Sequence, residues 1–373
     1  MVCFLIRLSK EGRGEKRRRR WKEESGTAAR GYYSEGTEQD EAVFSRAMES
    51  RCGKKKDEGG TGMILNTGNR TDIPAFYSAW LCNRIRAGFV CMRNPFHPSC
   101  VTRYRMDPEL VDVLMFCTKN PAPALEYLSE FGIFRQLWFV TITPYGREIE
   151  PGVPEKREVI RSFRELSSQI GRKCVCWRYD PVFLSDRYSI AFHCRSFEEM
   201  ASALSGAVEY CVVSFIDLYE KTRRNFPSVR AVTPEEQRVL VDHFVKTGKR
   251  CGIRIRLCCE DPGLAVLGAD VSGCMSREVI EEAIGRDLLI PSDWRRVRKE
   301  CRCLLGNDIG AYNSCPHGCV YCYANYDRKC VERNFRDHDP ESPFLIGHER
   351  VGDIVRDAVQ KSFLDRQDSL FSF

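Results

Sequence analysis

Residues 313–327 read "NSCPHGCVYCYANYD" and hold Cys315, Cys319 and Cys322 in a C-x3-C-x2-C spacing. Three soft thiolates on so short a loop suit a [4Fe-4S] cluster. Each thiolate would bind one iron, and the fourth iron would keep a position open to a small molecule. Pro316 and Gly318 favour a tight turn. Tyr321, Tyr323 and Asn325, set between and just after the thiols, are the candidate contacts to a bound cofactor. His317 sits inside the loop, where it either stands behind the cluster or fills the turn. Cys330 is near enough in sequence to offer a fourth thiolate.

A second set of cysteines precedes the loop. Cys258 and Cys259 end an apolar run, Cys274 follows in "SGCMS", and Cys301-x-Cys303 comes next. Cys258, Cys274, Cys301 and Cys303 would make a four-thiolate set suited to a second iron–sulfur cluster or a structural zinc, with Cys259 able to replace Cys258. The alternative is dispersed buried thiols, the reading adopted for Cys82, Cys91, Cys117, Cys174, Cys176, Cys194, Cys211 and Cys251 beside apolar segments.

These ligands need a scaffold, and the chain from Met63 repeats one grammar. Short apolar runs end in polar residues and often a proline: "MILNTGNRTDIP", "FVCMRNP", "VLMFCTKNP", "LWFVTITP", "CVCWRYDP", "CVVSFIDLY" and "IRIRLCCEDP". They read as buried strands. Helical patterns lie between several of them, over Phe76 to Ala87, Ala124 to Phe131, Glu155 to Ile170, Phe197 to Leu204 and Pro234 to Lys249. Alternation of this kind predicts parallel pairing in an α/β fold, a TIM-like (β/α) barrel, complete or partial, over about residues 63–285. Residues 286–347 would form a cysteine-rich iron–sulfur segment closing on the barrel mouth, and 348–373 a C-terminal tail.

Active sites of such barrels gather at the C-terminal ends of the strands. The residues there are Arg70 and Asp72, Arg93 and Asn94, Lys119 and Asn120, Thr143 and Tyr145, Arg178 and Asp180, Asp217, and Glu260. Turn chemistry alone accounts for some polar strand ends. As a set, Arg70, Asp72, Lys119, Asn120, Arg178, Asp180, Asp217 and Glu260 are the candidate catalytic residues for a polar, small-molecule substrate.

Composition narrows the setting. The net charge is +6, but residues 1–62 hold 15 Lys/Arg against 11 Asp/Glu, so the remainder is close to neutral and lacks the footprint of a dedicated nucleic-acid binder. Residues 1–62 have no hydrophobic period and read as a disordered basic extension; Met63 offers an alternative translation start. The apolar run in "MVCFLIRLSK" is too short for a secretory signal or a membrane span. A cytoplasmic protein is expected, with its cysteines reduced and clustered ones serving as ligands.

Cys315-x3-Cys319-x2-Cys322, with an aromatic before the third cysteine, resembles the cluster loop of radical S-adenosylmethionine enzymes, where it normally follows the first barrel strand. "RTDIPAFYSAW", "RNPF", "FCTKNPAP", "TITPYG", "WRYDP", "SFIDLYEKTRRN" and "DIGAYNSCPHGCVYCYAN" together resemble an uncharacterised, largely bacterial family with a radical-SAM-like cysteine cluster at its C-terminus. The resemblance covers roughly Met63 to Gly347. It implies that Cys315, Cys319 and Cys322 hold a [4Fe-4S] cluster, that S-adenosylmethionine binds the open iron, and that a 5′-deoxyadenosyl radical attacks the substrate. An electron donor such as ferredoxin or flavodoxin would be the partner. No Gly-Gly-Glu stretch ends a strand, since the Gly-Gly pair is Gly59-Gly60. Two other readings stay open, an electron-transfer iron–sulfur protein and a zinc-stapled barrel.

Overall fold

The structure, a computed structural model, describes residues 61–62, 64–218, 220–291, 303–304 and 306–365. The expectations for the basic extension and for Cys301 as a ligand lie outside the described residues, apart from the extension's last two.

β1 (Ile64–Asn66) leads through the single turn α1 (Ile73–Phe76) into α2 (Ser78–Ala87), which ends on Gly88 in the left-handed conformation. A hairpin of β2 (Phe89–Arg93) and β3 (Cys100–Arg105) follows. Then come β4 (Val113–Thr118), α3 (Leu128–Phe131), β5 (Gln136–Thr141), α4 (Lys156–Ile170), β6 (Val175–Val182) and α5 (Ile190–Leu204). The chain continues through β7 (Tyr210–Phe215), α6 (Glu220–Asn225), α7 (Pro234–Cys251), β8 (Arg254–Leu257) and α8 (Arg277–Ile284). β9 (Asn307–Asp308), α9 (Arg328–Arg336) and β10 (Ile354–Asp357) complete it. No helix among the described residues is long and apolar enough to cross a membrane.

The main sheet has seven parallel strands in the order β9-β1-β4-β5-β6-β7-β8. Six of them are neighbours in chain order, so right-handed crossovers put their helices on one face. The burial pattern agrees. Trp80 and Leu81 of α2, Phe163 of α4, Phe197 of α5 and Phe244 of α7 share one apolar cluster with Leu114, Phe116, Trp138, Val140 and Trp177. The alternate strand residues Val113, Met115, Leu137, Phe139, Cys176 and Val212 belong to a second cluster, with Val279 and Ile280 of α8. Both faces of the strands are therefore buried, which is why "QLWFVT" reads as a continuous apolar run with no period of two.

No closed barrel forms. Among the described residues β8 and β9 are the two edges of an open sheet, so the expectation of a complete barrel is corrected to an open, mixed α/β fold with a parallel sheet. A second correction concerns "FVCMRNP". β2 turns back after Gly88 and pairs antiparallel with β3, and β3 pairs with β10, so this run lies in a separate three-stranded sheet. Arg93 is thereby removed from the strand ends and pairs bidentately with Asp353. Helix α5 starts at Ile190, N-capped by Ser189, well before the expected Phe197. β6 also runs past Asp180 through Pro181.

Candidate metal centre at the strand ends

Residues 313–325 fold over the C-terminal ends of β1, β4 and β5, pinned at several points. Asn313 adopts a positive φ of 53°. Its side-chain oxygen accepts from the Tyr326 and Asp327 amides at 2.8 and 3.1 Å. Its own N–H donates to the Ala324 carbonyl at 3.0 Å, which closes the loop. Asn325 donates to the Cys315 carbonyl at 3.0 Å and accepts from the Cys315 amide at 3.4 Å, so the first thiol is held by its own backbone.

The loop then rests on the sheet through His317 and Tyr321. His317 Nε2 lies 2.8 Å from Asp72 Oδ2, and its Nδ1 lies 3.1 Å from the Gly152 carbonyl. Asp72 also caps α1 and accepts from the Lys119 amide at 2.8 Å, so one carboxylate joins β1, β4 and the loop. Gly152 is required at its position: a Cβ there would fall 2.8 Å from His317 Cα. Tyr321 donates to the buried Glu150 carboxylate. Glu150 receives Lys119 Nζ at 2.8 Å, Lys156 Nζ at 2.6 Å and Thr143 Oγ1 at 2.7 Å. Burial alone would raise the Glu150 pKa, but the two ammonium groups hold it down at about 2.

Cys315, Cys319 and Cys322 are between 5% and 9% exposed. Burial pushes the Cys315 and Cys319 thiols well above the ordinary range, so each keeps its proton until a cation displaces it. Lys119 beside Cys319 works in the opposite direction. A cavity of about 710 Å³ opens against the loop, lined by Cys315, Cys319, Gly152, Asn225 and Glu332 among others.

The second cysteine set is tighter. Cys258 and Cys274 sulfurs are 3.2 Å apart, Cys274 and Cys303 are 3.4 Å apart, and all three lie within 4.8 Å of one another. The three are buried and could hold a metal ion.

A family model described as a domain of unknown function (DUF1848) matches residues 64–324, well over half of the chain. The chain belongs to this family. The match ends two residues past Cys322, so the DUF1848 region takes in both cysteine sets as well as the sheet. Neither the comparison with curated proteins nor that with solved structures returned a match.

The remaining strand-end residues of this DUF1848 chain fall into distinct places. Asp72 and Lys119 meet the cysteine loop directly. Arg70 pairs with Asp308 at 2.6 Å and so fastens β9 to the end of β1. Asn120 accepts from the Ala122 amide at 3.2 Å, and Asn94 accepts from the Phe96 amide at 2.9 Å, so both make turns. Tyr145 donates to the Pro181 carbonyl at 2.7 Å. Arg178 and Asp180 form a fully buried pair on the face opposite the large helices. Asp217 is exposed. Glu260 accepts from the Phe215 amide at 2.8 Å and Ser214 at 3.0 Å, yet burial lifts its pKa to about 8. Tyr323 donates to the Asn69 carbonyl, which turns it toward β1. Cys330 lies on α9, its sulfur accepting from Arg333 at 3.2 Å.

Sequence reasoning missed Glu150, the hub of the site. Its only signal is an acid before Pro-Gly in "REIEPG", nine residues beyond the end of β5.

Proposed function

We propose that Cys315, Cys319 and Cys322 hold a [4Fe-4S] cluster at the mouth of a partial barrel, and that the protein is a radical-SAM-like enzyme acting on a small polar substrate. The observation that carries this reading is the buried three-thiol loop over the strand ends with Cys315 and Cys319 on the wall of a cavity of about 710 Å³. That volume lies within the range of small-molecule sites. The donor set fits the group. Three buried thiols on one short loop would each take one iron of a cube.

A cluster held there would supply one-electron cleavage of S-adenosylmethionine, with a ferredoxin or flavodoxin as electron donor. The chain's own residues bind and shield. Asn325 fixes the Cys315 backbone, and the His317–Asp72 contact sets the height of the loop above β1. Lys119 places a positive charge beside Cys319, favouring its thiolate. Low exposure of the three thiols keeps water from the reacting centre. Arg224, Asn225 and Glu332 line the cavity and are the polar groups placed to meet a substrate. A second reading is an electron-transfer protein with Cys330 as fourth ligand. It draws support from Asn334, which bonds both the Cys330 sulfur at 3.5 Å and the Asn313 carbonyl at 2.9 Å.

The test is anaerobic reconstitution of the full chain with iron and sulfide, followed by S-adenosylmethionine and dithionite. About four irons that disappear in Cys319→Ala, together with 5′-deoxyadenosine, are expected. Iron without cleavage selects the electron-transfer reading. An ion other than iron lost in Cys319→Ala overturns both.

A further inference from the structure

We propose that Cys258, Cys274 and Cys303 bind one thiophilic divalent ion of the zinc type, and that this ion links the segments beside the two edge strands of the main sheet. This does not depend on what the loop of Cys315, Cys319 and Cys322 holds.

The spacing points to a single ion. With metal–sulfur bonds of about 2.3 Å, thiolates on a tetrahedral ion stand about 3.8 Å apart. The observed separations of 3.2 and 3.4 Å need only a small opening to reach that. A cube of irons and sulfides would have to drive the same three sulfurs onto separate corners. Met275, Val279, Ile280 and Leu304 pack around them in the same apolar cluster.

Charge points the same way. Arg178 is fully buried and donates one Nη to Asp180, while its Nε and other Nη have no hydrogen-bond partner among the described residues. Cys258 and Cys274 lie within its electrostatic reach. Asp180 balances the charge, but buried N–H groups without acceptors are costly. Neutral thiols are poor acceptors, whereas metal-bound thiolates are strong ones for those two nitrogens.

The positions of the three residues give the ion its role. Cys258 directly follows β8, one edge of the sheet. The chain then returns to lie against that edge, with the Leu257 amide donating to the Asp270 carbonyl at 2.7 Å, and Cys274 comes four residues later. Cys303 lies four residues before β9, the opposite edge. Between them Gly306 passes so close to Ile64 that a Cβ would fall 1.9 Å from its carbonyl oxygen. One ion held by these thiols therefore links β8 to the segment entering β9, and through β9 to the loop that begins at Asn313.

The experiment uses the full chain, expressed with zinc and iron both supplied and purified anaerobically. The expected result is about one zinc per chain, retained in Cys319→Ala and lost in Cys274→Ser. Iron with sulfide lost in Cys274→Ser, or a wild-type chain with no zinc, overturns the proposal. If Cys274→Ser does not fold, cobalt substitution of the wild type decides. Intense thiolate charge-transfer and tetrahedral bands are expected, and weak octahedral bands overturn it. Chelation of the ion should speed amide exchange by about tenfold at 254–258 and 306–309 while the centre of β5 is unchanged. Uniform acceleration would overturn the stapling role.

Discussion

Replacing Glu150 by Gln tests whether the ion cluster under the cysteine loop governs the site. Gln keeps the shape and one acceptor oxygen but removes the charge that faces Lys119, whose side chain is 4% exposed against 1% for Glu150. Leaving one member of a buried pair uncompensated costs about 3–5 kcal/mol. Lys156 is 24% exposed and reaches solvent, so its share is small. The carboxyl's low pKa, held at about 2 against the opposing effect of burial, agrees in direction. Its sign follows from linkage. The stabilisation is complete above the unfolded pKa and fades as the pH falls from there through 2, so the cost of Glu150→Gln should be full at pH 7.

The assay is denaturant unfolding of wild type, Glu150→Gln, Lys119→Met and the double variant. Glu150→Gln should cost about 3 kcal/mol, which lowers Tm by roughly 4–6 °C. The double variant should recover at least about 2 kcal/mol of the summed single costs, because neither charge is then left alone. A cost below about 1 kcal/mol with strictly additive variants would refute the reasoning.

Three further outcomes follow from the same geometry. Gly152→Ala should push residues 316–317 off the sheet, costing about 1–3 kcal/mol and lowering iron retention; unchanged stability and iron content would show that the close approach is not needed. Asn325→Ala should weaken cluster retention by about 10–100-fold against a chelator with little loss of fold, and equal retention would contradict its role in holding Cys315. His193, buried with Nδ1 2.8 Å from the Tyr179 hydroxyl and Nε2 2.8 Å from the Phe183 carbonyl, is held neutral by burial with a pKa of about 4. Stability should therefore fall by about 3 kcal/mol as the pH drops from 6.5 to 4, where the unfolded chain binds the extra proton. His193→Gln should lack that component, and an identical pH profile in the variant would exclude it.

What was legible in the sequence depended on how local the cause was. The main-sheet strands could be read because each is a short apolar run with a turn after it. "FVCMRNP" has the same composition and was misplaced, since the feature that sends it into a hairpin is the alternation of "CVTRYR" downstream. Thiol spacing is local, so the loop of Cys315, Cys319 and Cys322 stood out. Cys258, Cys274 and Cys303 meet only because one follows an edge strand and another precedes the opposite edge. The sequence could group them but not bring them within 4.8 Å. Glu150 and His317 were missed or undervalued for the same reason. Asp72, the partner of His317, is 245 residues away, and the partners of Glu150 come from three different segments.

The order of the strands also explains how a cysteine loop near the end of the chain comes to lie over the end of β1, the first strand of the main sheet. β9 is parallel to β1 and hydrogen-bonded beside it, Asn307 opposite Leu65 and Asp308 opposite Asn66. Adjacent parallel strands lie about 4.8 Å apart and release their chains at the same end of the sheet. A loop leaving β9 therefore emerges next to where a loop leaving β1 would. Arg70, which follows β1, grips Asp308 at that point through its carboxylate and its carbonyl. Asp72, two residues on, reaches His317 inside the loop. The segment after β1 thus supports the loop, and the segment after β9 carries the thiols. What fixes the loop's place over the strand ends is strand adjacency and not chain order.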